Sequence, residues 1–148
     1  MKKIYLSVVC LLISIPLIAQ LYVEPEKEVE CSVFLAKEGR GRAQQGLEIW
    51  DDYIFSCEDG GHVNIYDFKS ADPKPVAGFE LASSHPDNHV NNVCFGVETK
   101  RGASFPLLYI TNGKVGSELE WLCFVESITR RGKRFSSEIA QTIELDGS

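Results

Sequence analysis

From residue 45 onward the chain alternates apolar and polar residues in short bursts, and each burst ends at a cluster of Gly, Asn, Asp or Pro. Successive side chains of a strand point to opposite faces, so this two-residue period predicts β-strands; a 3.6-residue helical spacing is sustained nowhere in the stretch. Four strands are predicted close together: Gly46–Trp50, ending at Asp51-Asp52; Tyr53–Cys57, ending at Glu58-Asp59-Gly60-Gly61; His62–Phe68; and Val76–Leu81, after the Pro73-Lys74-Pro75 region. Short connections between them make antiparallel neighbours, hence a meander. A second set repeats the order with Val90–Val97, Phe105–Thr111, Trp121–Ile128 and Ile139–Leu145, and Pro106 stands near a strand start, where a missing N–H is tolerated. The expected fold class is all-β: antiparallel four-strand meanders packed face to face, with no helix longer than about two turns.

The beginning of the chain follows a different rule. Met1-Lys2-Lys3 is a positive start, Ile4–Ile18 is apolar apart from Ser7, Ser14 and Pro16, and Ala19 supplies a small residue before Gln20. This is the pattern of a secretory signal peptide over residues 1–19. The alternative is an uncleaved anchor, but the apolar run is shorter than the roughly 20 residues that span a bilayer, and no basic stop-transfer cluster follows it. Cys10 lacks the preceding small residues of a lipid-attachment site. Residues 20–42 form a charged lead-in with one edge strand at Cys31–Ala36 and a glycine-punctuated loop at Lys37–Arg42; residues 43–84 and 85–148 are the two blade-like units.

Charge narrows the range of partners. The formal net charge is −6, with 15 Lys and Arg against 21 Asp and Glu, and loss of Lys2 and Lys3 on cleavage makes the mature chain more acidic still. Binding to nucleic acid needs a basic surface, so that class is excluded. An exported domain, periplasmic or extracellular, with no membrane span after cleavage, is expected. Cys31, Cys57, Cys94 and Cys123 remain after cleavage, an even number that an oxidising compartment can pair in three ways; the alternative is small buried thiols in strands. Their spacing matches no zinc pattern, and no cofactor is expected.

The run Asp59-Gly60-Gly61-His62-Val63-Asn64-Ile65-Tyr66-Asp67 resembles the end of a WD40 or NHL-type propeller blade, where Asp-Gly turns the chain into a strand ending aromatic-Asp. Asp-Gly supplies the positive φ of a tight hairpin, and Val63 and Ile65 share one apolar face. In the second unit Val125-Glu126 stands where the aromatic-Asp would be, and the middle loop is longer. Over residues 43–145 the chain is similar to secreted bacterial β-propeller proteins. The resemblance implies a partial propeller of two blades; a small β-sandwich is the alternative. Propellers close with about four to eight blades, and a blade needs a neighbour on each face. The expected chain is therefore a truncated part of a longer propeller, or a protomer that self-associates through exposed blade faces.

The densest polar cluster is Ser83–Asn92, the connection between the two units, which the resemblance places on the ligand face. Within it His85, Asp87, Asn88 and His89 combine imidazole and oxygen groups that suit a small ligand or an ion, and two histidines can act as acid and base. The competing reading is a turn in which Asp87 and Asn88 bond local backbone and His89 braces the loop. Gly60-Gly61 lacks the frame of a phosphate loop, His62 reads as a bracing residue, and Ser83 and Ser84 lack a nucleophile elbow. Trp50 and Trp121 offer sugar-stacking surfaces, although buried packing is the commoner use of tryptophan in strands. Arg130-Arg131-Gly132-Lys133-Arg134 reads as a solvated basic turn. No catalytic residue is assigned. The function expected is a binding or scaffold module; the alternative is a propeller-type hydrolase or lyase using the 83–92 loop. N-terminal sequencing of exported protein is expected to begin at Gln20, and full-length chain in the cytoplasm with Met1 intact would contradict export.

Overall fold

The computed structural model describes residues 43–72 and 74–145. The expected signal peptide, the lead-in with its strand at Cys31–Ala36, and Pro73 lie outside these residues. The described chain is all-β and forms two antiparallel four-strand sheets. Sheet A runs β1 (Gln44–Trp50), β2 (Tyr53–Glu58), β3 (His62–Asp67), β4 (Ala77–Glu80); sheet B runs β5 (Asn92–Phe95), β6 (Leu108–Thr111), β7 (Leu122–Arg131), β8 (Arg134–Glu144). In each sheet the strands lie side by side in chain order, as a meander requires. Among the described residues no helix is long and apolar enough to cross a membrane.

The alternation seen in the sequence sets which face is shared. Phe55, Cys57, Val63, Ile65 and Phe79 come from sheet A and meet Leu108, Ile110, Phe124, Ile128 and Phe135 from sheet B in one core. Its centre is aromatic: the Phe55 ring stands edge-on to Phe95 and Phe105 at 5.0 and 5.1 Å, and Phe135 stacks on Phe79 at 6.1 Å. Edge-to-face and offset pairs of this kind add roughly 0.5–1.5 kcal/mol each beyond the area they bury. The sheets stack in the same order, with β1 beside β5 and β4 beside β8. Gly46 makes the first contact possible, because a Cβ there would lie 2.8 Å from the Val90 carbonyl oxygen.

Strand ends depart from the sequence pattern in several places, among them β5, which keeps only Asn92–Phe95 of the expected Val90–Val97. Phe105 and Pro106 precede β6 and are not part of it; Phe105 is buried in the core as a loop residue, and the ladder starts only at Leu108. Conversely β7 continues to Arg131 and β8 starts at Arg134, so the basic turn contracts to Gly132-Lys133 with Gly132 at φ +64°. The added strand length is mostly exposed on β8, where Phe135 is the buried anchor. Burial goes further than one shared face: Ile54–Glu58 of β2, Val63–Tyr66 of β3 and Cys123–Ile128 of β7 are buried at every position.

The joint between the sheets depends on a buried acid. Glu126 has the same parity as Phe124 and Ile128, so it faces the core side, and it is fully buried. Its carboxylate accepts the Ala82 N–H at 3.0 Å and the Ser83 N–H at 2.8 Å. Hydrogen bonds to a charged group contribute about 1.5–3 kcal/mol each, and losing the acceptor leaves the buried Ser83 N–H unpaired, while the Ala82 N–H keeps the Ser137 hydroxyl at 2.9 Å. Glu126→Ala is expected to lower the unfolding free energy by about 3 kcal/mol or more, and Glu126→Gln, which keeps one acceptor, by about half as much, measured by urea denaturation.

Candidate functional site

The connector from Leu81 to Asn91 folds against the β2–β3 turn and the loop after β6. The Gly60 N–H donates to the Asn88 carbonyl at 2.7 Å, the Ser84 hydroxyl to the Gly60 carbonyl at 2.7 Å, and the His89 N–H to Asn112 Oδ1 at 2.9 Å. Close approach demands glycine on the other side: at Gly61 (φ +97°) a Cβ would lie 2.8 Å from Ser84 Cα. Within the connector the Asn88 N–H closes a turn onto the His85 carbonyl at 2.9 Å. Val90 sits at φ +44°, an unfavourable conformation for a β-branched residue, and its N–H donates to Asn88 Oδ1 at 3.1 Å.

The four residues singled out in this loop occupy distinct environments. Asn88 is fully buried and donates from Nδ2 to the Ser83 carbonyl and hydroxyl at 3.0 and 3.2 Å. Asp87 pairs with Lys114, whose hydrogen bond holds the Asp87 carboxyl below its ordinary value. His85 Nε2 lies 4.0 Å from Glu118, and its Nδ1 accepts the Asp87 N–H at 3.1 Å. His89 Nε2 lies 3.7 Å from Asp59 Oδ1. The loop therefore gathers the four, but each meets a different partner, and the two imidazoles face separate carboxylates. Among the described residues no group of three or more His, Cys, Asp or Glu side chains is placed to hold a metal ion.

Elsewhere the side chains fall as follows. His62 braces β3 to β4 through Glu80 at 3.0 Å. Cys57, Cys94 and Cys123 are free thiols, so no pair among them forms a disulfide; Cys31 is outside the described residues. Burial, with the nearby Glu126 charge, pushes the Cys57 thiol up to about 12, which leaves it protonated and unreactive at neutral pH. The tryptophans correct the expectation of buried packing: Trp50 is 41% exposed and Trp121 is 50% exposed.

Two features that residue pattern did not single out also appear. Glu58 is fully buried, with Asn64 Nδ2 donating to its Oε1 at 2.8 Å and no hydrogen-bond partner at Oε2. Arg130 is exposed, as expected of the basic run, but it lies on β7 with Cζ 4.9 Å from the centre of the Tyr53 ring and 5.8 Å from that of Phe135. It borders a cleft of about 440 Å³ at the rim between the sheets, shared with Trp50, Asp51, Tyr53 and Ser104.

No protein-family model matches the chain, and no curated protein matches it in sequence. Function is therefore read from the geometry. In the connector that geometry separates a buried hydrogen-bonding centre from exposed ion pairs. Asn88→Ala removes a donor and an acceptor with three buried contacts and is expected to cost about 2–3 kcal/mol of stability. His89→Ala disturbs a solvent-screened pair and His85→Ala a screened pair together with one partly exposed hydrogen bond from the Asp87 N–H, and each is expected to cost about 1 kcal/mol or less, read as melting temperatures in parallel with assays for bound metal.

Proposed function

We propose that the chain is an exported binding or scaffold module of the propeller type, its two sheets acting as successive blades, with the 83–92 connector on the ligand face. The observation that carries this reading is the same-order stacking, β1 on β5 and β4 on β8, which is how consecutive four-strand repeats pack about an axis.

In this reading the remaining blades come from further chain or from copies of this one. The face of β1 turned away from sheet B supports the second route, because Leu47 and Ile49 are 55% and 45% exposed there. Neighbouring apolar side chains on a sheet face are a surface for another layer. The mature chain is expected to sediment with a mass that rises with concentration, and Leu47→Glu combined with Ile49→Glu to hold it monomeric without lowering its melting temperature. A wild-type monomer at every concentration would remove association as the means of completing the ring.

A further inference from the structure

The rim cleft beside Arg130 is built from groups whose bonding capacity the fold does not consume. Arg130 Nε donates to the Gly132 carbonyl at 2.8 Å, and the guanidinium plane is held by the Tyr53 and Phe135 rings. Its backbone N–H is fixed by the Ser104 hydroxyl at 2.8 Å. Among the described residues no carboxylate forms an ion pair with Arg130. Guanidinium donors on the side away from Nε are therefore left for a ligand, on a group already immobilised by the protein. A pre-positioned arginine fork suits a carboxylate, and the fixed geometry reduces the entropy lost on binding.

The other walls narrow the ligand. Trp50 stands edge-on to Phe95 at 5.7 Å and keeps much of its indole surface exposed, which suits the C–H face of a sugar ring. Asp51 forms no ion pair among the described residues, so its carboxylate is an acceptor for hydroxyl groups and repels a doubly charged phosphate. A volume of about 440 Å³ lies in the range of small-molecule sites. We propose that this cleft binds a hexuronic acid, the sugar ring beside Trp50, its hydroxyls on Asp51, and its single carboxylate on Arg130. A peptide C-terminus would satisfy the arginine but has no hydroxyls for Asp51. The site lies within one copy of the two sheets, so it stands or falls separately from the propeller reading.

The chain contains two tryptophans, and in a Trp121→Phe background Trp50 becomes the reporter. Titration of the mature chain with D-glucuronate and D-galacturonate is expected to give a saturable change in Trp50 fluorescence with at least one of them. The matching methyl ester, the same sugar without the charge, is expected to bind at least about tenfold more weakly, and so is the acid to Arg130→Gln. The ester comparison uses no Arg130 variant and decides the question even if such variants fail to fold. Four results overturn the proposal: no saturable change with either uronate, equal binding of acid and ester, binding of a short peptide carboxylate in place of the uronates, or an Arg130→Gln chain that melts earlier yet binds uronate unchanged. The last would make Arg130 only a lid on the aromatic core.

Discussion

A fully buried carboxylate between two sheets is costly to desolvate, so its presence has to be explained by what it bonds. Glu126 accepts two successive backbone N–H groups of the connector, from Ala82 and Ser83. Those donors belong to chain leaving β4, an edge of sheet A; the Ala82 N–H shares the Ser137 hydroxyl, but without Glu126 the buried Ser83 amide would be orphaned. The bond also fixes registration. Moving β7 by one residue would turn Glu126 away and bring Val125 to the core side, and with it every side chain of the strand. Across the same core Phe55 meets Phe95 and Phe79 meets Phe135. An extra residue in β8, Ala140, lies where the β7–β8 register shifts, next to Glu126.

Much of the architecture was legible because turn chemistry and alternation agree. At Asp59-Gly60-Gly61 both glycines adopt positive φ, and the strands on either side of the turn are the two most completely buried of sheet A. The β7–β8 hairpin was less legible, since Arg134, Ser136, Ser137 and Glu138 show no apolar alternation and only Phe135 anchors that end of β8. Phe105 shows the opposite case: the apolar run that opens with Phe105-Pro106 reads as strand from its first residue, yet the core takes the Phe105 ring while the backbone there follows a loop. Glu126 left one trace in the sequence, an acid at an apolar-face position between Phe124 and Ile128. Its partners are more than forty residues earlier, so no local pattern explained it.

The polar density of the connector follows from its route. In a same-order stack the chain must travel from the last strand of one sheet to the first of the next, across the width of both. Chain that passes so close to the core has to bring partners for its own backbone groups. Buried Asn88 does this for the Ser83 carbonyl and for the N–H of Val90, which is held in a strained conformation, and buried Asn112, from the loop after β6, does it for the His89 N–H. The residues that drew attention as chemistry are, in part, the means by which the crossing is hydrogen-bonded.

This distinction bears on where a ligand would be recognised. A side chain already bound to protein has to break that bond before it can serve a ligand, and the side chain of Asn88, the most buried of the connector candidates, makes its described hydrogen bonds within the loop. Arg130 is in the reverse position. The aromatic edge of the core and the Gly132 carbonyl hold its guanidinium in place, but none of them neutralises its charge. A fixed cation with unused donors, beside an exposed indole, is prepared for an anion at little cost in reorganisation. The same packing that orders the core thus leaves its most available recognition group at the rim, away from the loop whose composition most resembled a site.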